Sequence, residues 1–187
     1  MGTYVAMLRS INVGGRNRVA MADLRALVTS LGFGDVVTYL QSGNVVCSGR
    51  GGSRAVARTI AGGIEETFGM AVPVVVRTDR ELAGTLGTSP LAHLEDDPKK
   101  LHVTFLDRVP DPERVRTLES DAERFAPERL AVVGPDVFLH CPGGYGETPL
   151  TNAFLERRLG VTATTRNWRT VEALAGLAGA TCPAPEQ

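Results

Sequence analysis

The chain opens on a short apolar run, "TYVAMLR" (Thr3 to Arg9), whose length and polar flanks predict a buried strand. "MADLRALVTSLGF" changes period: Met21, Leu24, Val28 and Leu31 share one helical face, and Gly32 stops the helix. "VVTYLQSGNVVCS" reads as two strands joined around Ser42-Gly43-Asn44. A second helix follows, capped by Ser53, with Val56, Ile60, Ile64 and Phe68 spaced four apart and with Gly62 and Gly63 weakening it. "VPVVVR" adds a fourth strand, and the capping box "TDRE" (Thr78 to Glu81) opens a short helix. Strand, helix, strand, strand, helix, strand is the order of a ferredoxin-like split βαβ unit.

The pattern then repeats. "LHVTFLD" (Leu101 to Asp107) matches the first strand, and "DPERVRTLE" is a helix with Asp111 as cap and Pro112 at its first position. "LAVVGPDVFLHC" is a second hairpin. "TPLTNAFLERRLG" is a helix capped by Thr148, with Pro149 first and Gly160 as its stop. "VTATTR" is the last strand and "WRTVEALAGLA" a closing helix. "NVVCSGRGG" lies over "DVFLHCPGG", and "VVVRTDRELAGTL" lies over "TTRNWRTVEALAGL" with a small shift; Cys47 and Cys141 are expected near matching strand ends of the two repeats, as packing residues. The expected fold class is α+β, a tandem duplication of ferredoxin-like units with antiparallel sheets and helices packed on one face. Residues 1–86 form the first subdomain, 87–100 a linker, 101–180 the second subdomain with its closing helix, and 181–187 a disordered tail.

Composition narrows the function. With 187 residues and 43% hydrophobic content the chain can bury a sizeable core. A formal net charge of -1 argues against a global polyanion binder, so any interest in phosphate or nucleic acid must be local. Apolar runs such as "MAVPVVV" (Met70 to Val76) are too short to span a bilayer, and the N-terminus lacks the pattern of an export signal. Three widely spaced cysteines, Cys47, Cys141 and Cys182, suggest neither a disulfide framework nor a zinc site. His93, His102 and His140 show no metal-ligand spacing. The expectation is a cytoplasmic protein without metal, cofactor or membrane partner.

Charge concentrates in "LRSINVGGRNRVAM" (Leu8 to Met21), between the first strand and the first helix. The topology places this loop at one sheet edge with Gln41, Ser42, Gly43 and Asn44. Gly14 and Gly15 permit close backbone approach, Arg9, Arg16 and Arg18 offer planar donors, and the helix N-terminus adds unpaired N–H groups. Asn12, Asn17, Gln41 and Asn44 are placed to read the rest of a small phosphate- or carboxylate-bearing molecule. No Gly-Lys-Ser/Thr follows the glycines, which excludes a Walker-type loop. A second candidate edge joins Gly143, Gly144 and Gly146 to Arg166, Asn167 and Trp168, although Asn167 also reads as a helix cap and Trp168 as core.

Three stretches in this order, "LRSINVGGRNRVAM", "TYLQSGNVV" and "TTRNWRTV", resemble a bacterial family known as domain of unknown function 1697, over roughly Thr3 to Ala180. The resemblance implies the duplicated α+β architecture and a bacterial source, and carries no activity. Ser10 stands where that family usually has Gly. "GYGETPL" stands where it usually has Gly-rich residues, a basic pair and Ser-Lys-Leu, so Pro149 replaces an expected lysine.

The leading reading is thus the binding of a small anionic molecule. The alternatives are a nucleic-acid-binding module, disfavoured because the strands lack stacking aromatics, and a non-catalytic interaction scaffold.

Overall fold

The computed structural model describes residues 1–180 apart from positions 13, 15, 16, 95 and 96. Gly15 and Arg16 of the first loop, part of the linker, and the expected disordered tail 181–187 with Cys182 therefore lie outside the described residues. The described chain divides into two compact units, one of Met1–Gly84 together with residues 174–180, the other of Thr85–Ala173.

The first repeat runs β1 (Gly2–Leu8), α1 (Met21–Ser30), β2 (Gly34–Tyr39), β3 (Asn44–Gly49), α2 (Ser53–Phe68), β4 (Val74–Thr78) and α3 (Asp79–Gly87). The second runs β5 (Leu101–Leu106), α4 (Pro112–Ala122), β6 (Arg129–Val133), β7 (Asp136–His140), α5 (Asn152–Leu159), β8 (Ala163–Asn167) and α6 (Trp168–Leu177). The sheets have orders β2-β3-β1-β4 and β6-β7-β5-β8, every pairing antiparallel. Both are ferredoxin-like, as the alternation of periods predicts.

Register makes the duplication exact to the residue. Leu8 pairs with Val74 and Leu106 with Ala163. Arg77 faces Val5 and Arg166 faces Val103. Tyr4 faces Cys47, and His102 faces Leu139. Cys47 is thus the equivalent of Leu139, whereas Cys141 corresponds to Gly49, so the two cysteines are two residues out of step and not at matching ends. Both still face helices, because a two-residue step along a strand keeps the face.

In the first unit Ala6, Leu8, Val45 and Cys47 meet Leu24, Val28, Ile60 and Ile64 from α1 and α2. Burying each of the large side chains contributes about 1.5–3 kcal/mol. The opposite faces are closed as well: Val5, Met7 and Val75 of the first sheet are buried, and so are Val103, Phe105 and Phe138 of the second.

Helix ends follow the sequence where a side chain has one local choice. Asp111 caps α4, accepting from the N–H groups of Glu113 and Arg114, with Pro112 in the first turn. Thr78 and Glu81 form the reciprocal capping box of α3. Two expected caps are displaced. Gly52, not Ser53, occupies the N-cap of α2, and Ser53 Oγ instead donates to Glu81 across 3.3 Å. Thr151, not Thr148, caps α5, because the chain turns first at Thr148, whose Oγ1 accepts from Leu150 N–H, and enters the helix only three residues later. Among the described residues no helix is long and apolar enough to cross a membrane.

Candidate functional site

At the end of β1, Leu8 N–H donates to Gly43 O at 2.8 Å and Arg9 N–H to Pro73 O at 2.9 Å. The second unit makes the same two bonds, Leu106 N–H to Pro135 O at 2.9 Å and Asp107 N–H to Thr162 O at 3.0 Å. Arg9 and Asp107 are therefore equivalent starting points. From there the repeats differ: Arg9 to Ala20 is 12 residues, whereas Asp107 to Asp111 is five. The shorter connection suffices to join strand to helix, so the fold itself does not require the longer one.

Asn12 fixes this extra chain. Its Nδ2 donates to Val19 O and to Gln41 O, both at 2.9 Å, and its Oδ1 accepts from Val19 N–H at 2.9 Å. One carboxamide thereby ties both ends of the loop together and ties the loop to the β2–β3 turn. Asn17 adds a bond to Ser10 O at 3.2 Å. The backbone is left-handed at Ser10, Asn12, Gly14, Asn17, Leu40 and Gly43, with φ between 49° and 70°. Asn tolerates that region, but Ser and Leu adopt it at a cost of about 1–2 kcal/mol. Gly43 has no alternative, since a Cβ there would stand 2.3 Å from Ile11 Cγ2.

Asn12, Arg18, Val19, Ala20 and Gln41 line an open cleft of ≈ 420 Å³. Its back wall is the start of α1, where the N-cap is Ala20 and no side chain caps the helix. Arg18 and Gln41 are exposed at the rim. Arg18 has no ion-pair partner among the described residues. Asp23, in the first helical turn, offsets part of the positive end of the helix, and Arg18 is the cation among the described residues of the lining. Among the described residues the cleft lining contains no nucleophile, carboxylate or imidazole.

The other predicted residues divide. Asn12 lines the cleft but is committed to its three backbone bonds. Asn44 is fully buried and donates to Tyr39 O and Ser42 Oγ, so Asn44 and Ser42 hold the turn. Gly14 is exposed, and Arg9 is half-buried at the loop's root.

The second edge is organised differently from its expectation. Pleating puts Thr165 and Asn167 on the helix-facing side of β8 and Arg166 on the other. Tyr145, from the loop between Gly144 and Gly146, reaches the helix-facing side, where its hydroxyl donates to Thr165 Oγ1 at 3.0 Å. Thr165 Oγ1 donates onward to Asn152 Oδ1 at 2.7 Å and lies 2.7 Å from Thr104 Oγ1. The Tyr145 ring stacks on His102, centroids 4.9 Å apart. Arg166 is buried and donates to Thr164 Oγ1 and Thr165 O at 2.8 Å. Burial pulls its pKa down to about 10, with Tyr145 opposing, so it stays charged at neutral pH. Arg77 is buried at the same register position of the first unit, which marks this arginine as part of the repeated fold. Asn167 caps α6 by accepting from Thr170 N–H at 2.8 Å, and Trp168 Nε1 donates to Glu172 at 3.0 Å.

Sequence reasoning missed Tyr145, His102 and Thr165. The signal in the sequence is a ring residue at the same place of each first strand, Tyr4 and His102; in the structure Tyr4 donates its hydroxyl to Gly51 O and His102 stacks on Tyr145, so this position meets the glycine loop in both repeats. Among the described residues no cluster of three or more His, Cys, Asp or Glu is placed to hold a metal ion.

No curated protein matches the chain. The solved structure of conserved bacterial protein SP0830 from Streptococcus pneumoniae is similar in fold, with a TM-score of 0.72 at 21% sequence identity, over 95% of this chain and 98% of that one. Residues 1–138 match the family described as "Protein of unknown function (DUF1697)". With the duplicated α+β fold in place and most of its length matched, the chain belongs to that DUF1697 family.

Proposed function

We propose that the cleft between the β1–α1 loop and the β2–β3 turn binds a small molecule through a carboxylate or phosphate group. The observation that carries this reading is a difference between the repeats. In the second unit the Asp111 carboxylate accepts from the N–H groups at the start of α4, at 2.9 and 3.3 Å. In the first unit Ala20 stands at the corresponding position of α1, no side chain replaces the carboxylate, and the cleft lies open beside Arg18. An anion from outside fits where the second repeat uses its own, because the first helical turn offers unpaired donors and partial positive charge. Arg18 and the Gln41 side chain are the groups that reach it. Among the described residues the lining offers the donors of Arg18 and Gln41, and the reading is one of binding. Among the alternatives, RNA on an open sheet is disfavoured by the burial of Val5, Met7, Phe105 and Phe138. Free buried thiols at Cys47 and Cys141 fit a reducing cytoplasm.

A thermal-shift screen against nucleotides, sugar phosphates and carboxylic acids tests the proposal. The expected result is a ligand that raises the melting temperature of the protein and fails to do so for Arg18→Ala. A screen without hits, or a hit that Arg18→Ala retains, overturns it.

A further inference from the structure

A second cleft of ≈ 410 Å³ lies elsewhere on the first unit, between α2 and the chain leading into β4. One wall is the α2 stripe Arg58, Ala61, Gly62 and Glu65, spaced i, i+3, i+4 and i+7. This is not the core stripe, which is Val56, Ile60, Gly63 and Ile64. The other wall is Ala71, Val72 and Pro73, and β4 beyond them is the edge strand of its sheet. The floor is thus apolar, with an exposed cation at one end of the stripe and an exposed anion at the other.

Two features show that these charges face a ligand-sized space. Arg58 and Glu65 are two helical turns apart, about 10 Å along the axis, too far to neutralise each other directly. Neither has an ion-pair partner among the described residues. Gly62 lies between them, and a Cβ built on it would meet nothing within 4 Å, so the space above the helix is open. Gly63 differs, because its Cβ would press on Leu31 at 2.7 Å, and packing accounts for that glycine.

We propose that this cleft binds a short zwitterionic peptide of small residues, lying extended along α2 with its carboxylate at Arg58 and its ammonium at Glu65. Charge order and length select this class together. An extended peptide advances about 3.3 Å per residue, so three residues place opposite terminal charges about 10 Å apart. The volume is at the low end for small-molecule sites, which suits alanine or glycine side chains over an Ala–Gly–Val–Pro floor. This site is independent of the anion cleft, since the two share no residue.

Titration of the isotope-labelled protein with trialanine, followed by amide chemical shifts, tests the proposal. Shifts are expected at Arg58–Glu65 and Ala71–Val72, and not at Val19 or Gln41. Trialanine acetylated at one end or amidated at the other should bind about threefold to fivefold more weakly, as should Arg58→Glu or Glu65→Arg alone. The double exchange Arg58→Glu with Glu65→Arg should restore affinity, because a zwitterion can bind reversed. Both residues are exposed, so these variants keep the fold, and far-ultraviolet circular dichroism checks that they do. Absence of shifts at the cleft, single exchanges without effect, or failure of the double exchange to recover binding overturns the proposal. Each outcome leaves the Arg18 reading to its own test.

Discussion

Asn12 and Val19 are joined by two hydrogen bonds of 2.9 Å, the side-chain carboxamide of one meeting both the N–H and the C=O of the other. A third bond from the same carboxamide reaches Gln41 O. Among the described residues of the long loop this carboxamide makes three of the bonds that hold it, while Ile11 and Val19 bury their side chains in the core of the first unit. Asn12 also has φ 54°, which alanine adopts only with strain. Each lost bond costs about 1 kcal/mol and the backbone about another. Asn12→Ala should therefore destabilise the protein by roughly 2–4 kcal/mol in urea unfolding. It should also speed hydrogen exchange at Val19 N–H more than at Leu8 N–H. Equal protection of Val19 in the two proteins would show that the loop is held by something else.

The glycine pair of α2 offers a test in which two neighbours respond differently. Alanine is favoured over glycine in a helix by about 1 kcal/mol. At Gly62 the new methyl meets open space, so Gly62→Ala should stabilise the protein by about that amount. At Gly63 the same gain is opposed by the 2.7 Å approach to Leu31 Cδ1, so Gly63→Ala should be the less stable variant of the two. Thermal unfolding of both variants, with Gly63→Ala the more stable, would contradict the packing described here.

These cases show what a sequence makes legible. Periodicity and local caps are short-range, so the two βαβ units, the Asp111–Pro112 start of α4 and the Thr78–Glu81 box could be read directly. The displaced caps at Ser53 and Thr148 arise where several capping residues lie within a few positions and the chain's direction selects one. The loop from Arg9 to Ala20 was visible as an anomaly of length and charge. The role of Asn12 was not, because its partner Gln41 is 29 residues away. Nothing local to Arg166 states which face of β8 it takes; the buried Arg77 in the twin strand supplies that information. His102 and Tyr145 meet only when the glycine loop folds back on β5.

The two described cysteines should be silent at neutral pH. Burial pushes the thiol of Cys47 up to about 11 and that of Cys141 up to about 12, the latter despite an opposing bond from Thr148. A thiolate is the reactive form, so in a Cys182→Ser background neither thiol should react with Ellman's reagent at pH 8 until the protein is unfolded. The linked stability has a definite sign. Above about pH 9 the unfolded chain loses its thiol protons while the native protein keeps them, so the contribution of burial is complete below that pH and declines as pH rises through 11–12. Rapid labelling of the native variant at pH 8 would refute this.

His102 gives the opposite pH dependence, at the acid end. Its imidazole is buried against Tyr145 and its Nδ1 has no hydrogen-bond partner among the described residues, so a proton there is poorly accommodated. Burial accordingly lowers its pKa below the usual 6.5, and the Lys100 backbone only partly opposes this. In the unfolded chain the ring takes up a proton near its ordinary pKa, while in the native protein it does so only at lower pH. Between those two points the unfolded state binds more protons, so stability is retained above about pH 6.5 and falls as pH drops through that window. His102→Phe keeps an aromatic surface for Tyr145 and removes the proton site. Urea midpoints at pH 7 and pH 5.5 should therefore differ more for the natural protein than for His102→Phe. Equal differences would mean that the Tyr145–His102 stack holds the glycine loop without sensing pH. A larger difference in His102→Phe would mean that the charged imidazole stabilises the native state, which its burial argues against.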